Sequence, residues 1–198
     1  MALSETDQLL IRLSVGICTG DWQLLRELRR AAPEGQPDRR WREAVLQAHL
    51  FAGMPRVVEA WGVLQSVGGL GTPDEEEARH QGDAFEAGRA LFERIYANQA
   101  EAVRSTLKGF HPVLDRWIEG HAYGRVLARP GLPPDRRELL AVACLASLGQ
   151  DRQLASHVRG AVFVGAGPEE LHETMDTIRD LVDETTWRHA VRVVERFG

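Results

Sequence analysis

Residues 137–157 read RELLAVACLASLGQDRQLASH and predict two consecutive helices separated by a glycine. After Glu138 the first helix is apolar on nearly every side, and a helix of that kind lies in the centre of a protein. Gly149 ends it, and the second helix carries Leu154 and His157 on one face, because residues three apart in an α-helix are neighbours. The segment therefore predicts a central helix with an acid in its first turn, followed by a helix with an inward imidazole.

The rest of the chain repeats the helical pattern, with apolar residues three and four apart and turn-forming residues between the segments. Ser4 is predicted to cap the first helix, and Gly20 to end it. Pro55 suits the first turn of the fourth helix. No segment shows the alternating pattern of a β-strand, so the predicted fold class is all-α.

Composition excludes several classes of function. The chain has 198 residues, of which 43% are hydrophobic and 27% charged, and a net charge of −5 argues against a nucleic-acid surface. No apolar run is long enough for a membrane span, and no signal peptide is recognisable. Cys18 and Cys144 stand singly in apolar segments, which favours core packing in a reducing compartment. We therefore expect a cytoplasmic protein whose cysteines form neither a disulfide nor a metal site.

The two ends of the chain match each other when the sequence is shifted by 130 residues, which predicts an internal repeat of a four-helix unit. A glycine-rich and acidic stretch separates the matching regions. We therefore divide the chain into an N-terminal helical repeat unit (1–65), a linker (66–83) and a helical domain containing the second unit (84–198). The matches include Leu9 with Leu139, Leu10 with Leu140, Asp21 with Asp151, Gln23 with Gln153 and Leu24 with Leu154.

Three helices are predicted to point ionisable side chains toward one space. Glu138 and His157 come from the two helices described above. His121 lies on a predicted helix and shares a face with Leu114, Trp117 and Ile118. A carboxylate and imidazoles in a desolvated site are suited to proton transfer near neutral pH. The alternative for each is structural, because an inward histidine is often a hydrogen-bonded core residue and an acid complements a helix N-terminus.

Two arginines flank the loop RPGLPP, residues 129–134, and are candidates for holding an anionic ligand. Arg129 begins the loop and Arg136 follows it, and guanidinium groups bind carboxylates through paired hydrogen bonds. The structural alternative for Arg129 is an interaction with the last carbonyl groups of the preceding helix.

The span from about Phe85 to Met175 resembles the γ-carboxymuconolactone decarboxylase family. The resemblance is carried by residues 121–175, HAYGRVLARPGLPPDRRELLAVACLASLGQDRQLASHVRGAVFVGAGPEELHETM. The aromatic–glycine–proline signature that usually precedes the family's final helix is missing from the C-terminus and is present instead as LFAGMPR, residues 50–56. The resemblance implies an alkylhydroperoxidase-D-like helical bundle that forms a homo-oligomer, a trimer or hexamer. Trp22 and Trp41 are candidate exposed aromatics for its interface.

The related alkylhydroperoxidase-D branch uses the spacing Glu-x11-Cys-x2-Cys-x3-His. The same frame here holds Glu138, Gln150, Gln153 and His157, so both thiols are replaced by amides. An amide forms neither a disulfide nor a sulfenic acid, which excludes peroxide reduction by that dithiol route. Isolated cysteines elsewhere leave a thiol-dependent reductase as the least favoured alternative.

The resemblance then implies a cofactor-free acid–base lyase acting on a small carboxylated lactone or a related acid. His157 or His121 would supply protons, Glu138 would belong to the same site, and Arg129 would hold a carboxylate. The rival hypothesis is a non-catalytic helical assembly or ligand-binding member of the family.

Overall fold

The computed structural model describes residues 2–33, 38–78 and 84–198 and contains helices and turns but no strand within them. The predicted all-α class is therefore confirmed. None of the helices in these ranges combines the length and apolar character that crossing a membrane requires.

The helices are α1 (Glu5–Thr19), α2 (Trp22–Ala31), α3 (Asp38–Ala52), α4 (Met54–Gln65), α5 (Glu75–Ala78), α6 (Ala84–Tyr96), α7 (Ala100–Phe110), α8 (Leu114–Trp117), α9 (Pro134–Ser147), α10 (Asp151–Val164), α11 (Pro168–Thr177) and α12 (Glu184–Phe197). A 3₁₀ turn, Ala97–Gln99, joins α6 to α7, and α8 continues directly into a π-helical segment, Ile118–Leu127, which we call the π segment.

The predicted helix-capping and helix-terminating residues lie at helix ends in the structure. The backbone N–H of Asp7 donates to the Ser4 hydroxyl at 3.2 Å, and the Asp7 carboxylate accepts from the Ser4 N–H, which forms a capping box. Gly20 ends α1 with φ 77°, a left-handed conformation that favours glycine. Pro55 lies in the first turn of α4. These three predictions are confirmed.

Helix α9 lies at the centre of the molecule, as its apolar sequence predicts. Its residues 137–146 are all buried, and it packs against α1, α3, α10, α11 and α12. The main hydrophobic core is continuous and contains side chains from both α1–α4 and α9–α12. The two predicted units therefore pack together around one core, while the domain boundaries themselves stay a prediction.

Helix spacing follows the offset seen in the sequence. The first residues of α1–α4 and of α9–α12 are separated, pair by pair, by 129 or 130 residues. A repeated four-helix unit requires such a spacing, although the common origin of the two units stays a prediction.

Part of the predicted linker is anchored to α2 and α3. Glu77 is buried, and its Oε2 accepts a hydrogen bond from Arg42 Nη2 at 2.6 Å. The carbonyl oxygen of Leu70 accepts from the same guanidinium, and Arg29 Nε donates to the Gly69 carbonyl at 2.9 Å. Residues 66–78 are thus held against the N-terminal helices, and the rest of the linker, 79–83, lies outside the described residues.

The π segment and α6 approach each other at two glycines. A Cβ atom at Gly124 would overlap the carbonyl oxygen of Ala84, and one at Gly88 would overlap that of Glu119. The two backbones therefore approach closely at these glycines, which fixes the π segment against α6.

The predicted surface position of Trp41 is wrong. Its side chain is completely buried in the main core, with the Arg29 guanidinium 5.6 Å from the ring centroid, while Trp22 is half-buried. A tryptophan side chain has a large apolar area, and that of Trp41 packs entirely within the core.

Candidate active site

Glu138 and His157 form a hydrogen-bonded pair between α9 and α10. The Nδ1 atom of His157 lies 2.8 Å from Glu138 Oε2, and the side chains are 13% and 1% exposed. Gly160, three residues after His157, leaves room for this carboxylate. The pair that the sequence frame suggests is therefore assembled in the structure.

The pair favours a protonated imidazole. Burial is the largest influence on the pKa of His157 and acts to lower it, but the charge of Glu138 and its hydrogen bond together outweigh burial, so that the pKa is raised. Because Nδ1 faces Glu138, Nε2 is the ring nitrogen left for other contacts. It has no hydrogen-bond partner among the described residues.

Two tyrosines add hydroxyl groups to the same region. Tyr123 and Tyr96 share a hydrogen bond of 3.1 Å between their hydroxyl oxygens. Burial raises the pKa of both phenols, and the nearby charge of Glu138 acts in the same direction. Both therefore remain protonated at neutral pH. Because Tyr123 donates to Tyr96, the Tyr96 hydroxyl keeps its proton for another acceptor.

A cavity of about 600 Å³ adjoins this cluster. His157, Tyr96 and Tyr123 line it, together with apolar side chains from α3, α6, α7, the π segment and α9. Its size falls within the roughly 300–1,000 Å³ range of small-molecule sites. An acid–base pair at the wall of a mostly apolar cavity is an arrangement suited to proton transfer to a bound molecule.

The N-terminal unit contributes directly to this cavity. Leu50 and Phe51, at the end of α3, are among its lining residues, and the Phe51 and His157 rings meet edge to face with centroids 6.0 Å apart. Both residues belong to the LFAGMPR stretch. The first unit thus lines a cavity within its own chain.

His121 lies elsewhere than the predicted inward position. It is exposed, and its Nε2 lies 2.8 Å from Nε2 of His49 on α3. Partial desolvation of the ring, followed by the neighbouring charges of His49 and Arg125, lowers the pKa of His121. Trp117, expected on the same inward face, is 68% exposed.

The winding of the helix explains this difference. The prediction assumed α-helical spacing, whereas the π segment forms hydrogen bonds between residues five apart, which changes the residues that share a face. Ile118, Ala122, Tyr123 and Leu127 are the side chains it presents to the cavity.

The two arginines predicted to bind substrate are engaged by buried carboxylates instead. Arg129 donates to Glu43 from Nη2 at 2.8 Å and from Nε at 3.0 Å, and Arg137 also donates to Glu43, at 2.7 Å. Arg136 pairs with Glu170. Neither Arg129 nor Arg136 lines the cavity beside His157. Their positions support a structural role.

Arg152 is the cationic side chain that sequence reasoning missed. It lies in the first turn of α10, is exposed and lines the cavity together with Gln153 and His157. No acidic partner holds its guanidinium in the part of the chain that the structure describes. Arg152 precedes His157 by five residues on the same helix, a spacing that does not place two side chains on one face, so local periodicity gave no signal for it.

The isolated cysteines come together in the core. Cys18 of α1 and Cys144 of α9 are both buried, and a hydrogen bond with Cys18, followed by burial, raises the pKa of Cys144 well above its ordinary value. A buried thiol of that kind is a poor nucleophile. Among the described residues, no three His, Cys, Asp or Glu side chains are grouped to hold a metal ion.

Comparison with known proteins finds a family that resembles the C-terminal part of the chain. Residues 112–196 match the sequence model of the carboxymuconolactone decarboxylase family. That match covers less than half of the chain, and it makes this segment similar to the family. The chain is also similar to the 4-carboxymuconolactone decarboxylase of Acinetobacter baylyi, with 36% identity over 67 residues. That match covers 34% of this chain and 50% of the relative, so the chain spans about half the length of the decarboxylase it matches.

The matched family segment holds only part of the cavity. Glu138, His157 and Arg152 lie inside residues 112–196, whereas Phe51 and Tyr96 precede them. The acid–base pair thus comes from the segment that is similar to the family, and helices before it supply much of the surrounding wall.

Proposed function

We propose that this protein is a cofactor-free acid–base lyase that decarboxylates a small carboxylated lactone or a related acid. The observation that carries the proposal is the Glu138–His157 pair at the wall of the 600 Å³ cavity. Similarity to a 4-carboxymuconolactone decarboxylase over part of the chain supports the reaction class.

Decarboxylation requires a hydrogen-bond donor that stabilises the developing negative charge and an acid that protonates carbon. The bond between the carboxylate carbon and its neighbour breaks, and the electron pair passes into an adjacent carbonyl group of the substrate. A hydrogen bond to that carbonyl oxygen stabilises the developing charge, and we assign it to the Tyr96 hydroxyl, which accepts from Tyr123 and keeps its own proton to donate.

The resulting carbanion equivalent needs a proton on carbon. His157 in its imidazolium form supplies it from Nε2, while Glu138 holds Nδ1 and keeps the ring oriented. The imidazole then regains a proton from water, so one proton is consumed and one carbon dioxide released per turnover. Arg152 replaces Arg129 and Arg136 as the residue that we propose to orient the anionic substrate.

The experiment is carbon dioxide release from a panel of carboxylated lactones in deuterated water, with the product examined for deuterium on the protonated carbon. His157→Gln is expected to lower kcat/KM at least about 100-fold, the contribution of a general acid. His121→Gln is the matched control, since it also removes an imidazole, and it is expected to stay near the wild-type rate.

Two results would contradict the proposal. One is carbon dioxide release by His157→Gln at the wild-type rate. The other is binding of the lactones by the wild-type protein without any turnover, which would favour a ligand-binding member of the family.

We also propose a homo-oligomer, as the family resemblance implies. Large apolar side chains remain exposed on the monomer, among them Met54, Val58 and Phe163. Surfaces of this kind often mark protein–protein contacts. Light scattering coupled to size-exclusion chromatography is expected to give a mass of three or six chains, and a monomer at micromolar concentration would contradict it.

A further inference from the structure

The cavity beside His157 is larger and more apolar than a small polar lactone needs. Its volume is about 600 Å³, and its walls carry Phe51, Phe92, Leu107 and Ile118 among other apolar side chains. Sites of that size, lined mainly by hydrophobic groups with a few polar ones, typically enclose most of a drug-sized molecule. A substrate that fills this space has an apolar body.

One wall of the cavity has apolar side chains that the protein itself only partly covers. Helix α7 buries only Ala100 fully, while its Val103 and Leu107 are half-buried and Phe110 is 68% exposed. All three line the cavity. An amphipathic helix normally buries its apolar stripe against protein, whereas this stripe faces the cavity, where a ligand would cover it.

Arg152 gives this cavity a positive charge that no described acidic side chain neutralises. Arg152 is exposed there, and none of the described residues forms an ion pair with its guanidinium. The carboxylate of Glu138 is instead held by His157. A guanidinium beside an apolar space suits a molecule with a carboxylate at one end and a hydrocarbon body at the other.

Resting on the proposed function, we infer that the substrate is an amphipathic carboxylic acid whose carboxylate binds Arg152 and whose extended apolar body lies between α7 and the π segment. This narrows the substrate class from small polar lactones to lactones or acids that carry a hydrocarbon substituent.

Straight-chain carboxylates test the ligand class without requiring turnover. Binding of butanoate, hexanoate, octanoate and decanoate is measured by calorimetry or by displacement of a fluorescent fatty acid. Each additional methylene that enters the cavity is expected to tighten binding about fourfold, the value for burying one such group. Octanol, which lacks the carboxylate, is expected to bind more weakly than octanoate.

Two variants test separately how the protein binds the carboxylate and the hydrocarbon body of the ligand. Arg152→Gln is expected to weaken every carboxylate by at least about tenfold without changing the gain per methylene, since charge-assisted hydrogen bonds contribute about 1.5–3 kcal/mol. Arg56→Gln, an exposed arginine outside the cavity, is the matched control. Val103→Trp, which fills part of the cavity, is expected to weaken decanoate more than butanoate, with circular dichroism checking its fold.

An affinity that does not change with chain length, or that is insensitive to Arg152→Gln, would overturn the inference. The outcome is distinguishable from failure of the proposed function. If unsubstituted lactones are decarboxylated in a His157-dependent way and alkanoates do not compete, the lyase stands and the amphipathic substrate fails. If alkanoates bind as described and no acid is decarboxylated, the ligand class stands and the lyase fails.

Discussion

Gly160 on α10 stands directly against the carboxylate of Glu138: a Cβ atom at this position would lie 2.9 Å from Glu138 Oε2. The same Cβ would lie 2.9 Å from a methyl group of Ile95, so an added side chain would be crowded from two directions. The absence of a side chain at residue 160 is what lets the acid reach the imidazole one turn earlier.

Gly160→Ala is therefore expected to displace Glu138 and to lower kcat/KM by about 10- to 100-fold, since small misplacements of catalytic groups have effects of this size. Overpacking is expected to reduce the free energy of unfolding by about 1–3 kcal/mol. Gly62→Ala is the matched control, because no atom lies within 4 Å of a Cβ there. Unchanged turnover in Gly160→Ala would mean that the position of Glu138 does not matter.

The pH dependence of turnover follows from the raised pKa of His157. The acid form donates the proton, so the rate is constant below this pKa and falls as the pH rises through it. Glu138→Gln removes the charge that raises the pKa, and burial then dominates, so the falling limb is expected to move to lower pH. Glu59→Gln, an exposed acid on α4, serves as the control for loss of a charge. A falling limb at the same pH in Glu138→Gln would contradict the assignment.

Arg129 is expected to stabilise the fold and to have little effect on substrate binding. Its bidentate contact with the buried Glu43 is shared by Arg137. Glu43→Gln leaves Arg137 buried without a counter-charge and is expected to cost about 3–5 kcal/mol of unfolding free energy. Arg129→Gln is expected to cost about 1–3 kcal/mol, the price of an unmade charged hydrogen bond. Urea unfolding measures both, and a large rise in KM for Arg129→Gln at unchanged stability would restore it as a substrate ligand.

Both thiols are expected to be inert in the folded protein. Cys18 and Cys144 are buried, and the raised pKa of Cys144 keeps its sulfur protonated. Ellman's reagent is expected to react with neither cysteine in buffer and with both in guanidinium chloride. Lyase turnover in Cys144→Ala is expected to remain near wild type. Peroxide reduction that is abolished by alkylation would instead revive the thiol-dependent alternative.

The buried ion pair between Arg42 and Glu77 is expected to hold residues 66–78 in place. Glu77→Gln removes one partner of a pair whose side chains are only 8% and 4% exposed, and breaking such a pair costs about 3–5 kcal/mol. Faster amide hydrogen exchange in residues 66–78, with α9 unaffected, is the expected result. Glu59→Gln again provides the control. Equal exchange in both variants would show that the ion pair is not what anchors this segment.

Sequence reasoning found the parts of the site that depend on local periodicity. The buried α9 follows from its apolar composition, and the pairing of Glu138 with His157 follows from two adjacent helices that each turn one side chain inward. Helical spacing is a property of neighbouring residues, so it is recorded directly in the sequence.

The predicted side-chain positions are wrong where the type of helix or a contact between distant residues determines the position. His121 was placed inward by α-helical spacing that the π segment does not follow. Arg129 meets Glu43, a residue 86 positions away, so its engagement is invisible to any local pattern. The cavity likewise depends on Phe51 and Tyr96, which reach it from helices far from His157 in the chain.

The most direct test is the pKa of the His157 imidazole, measured by ¹⁵N NMR as a function of pH. The chain has 7 histidines, and the signal is assigned by its loss in His157→Gln. We predict a pKa above that of a free histidine in the wild-type protein and one below it in Glu138→Gln. A wild-type value at or below that of free histidine, or a value unchanged by Glu138→Gln, would contradict an acid–base pair at this cavity.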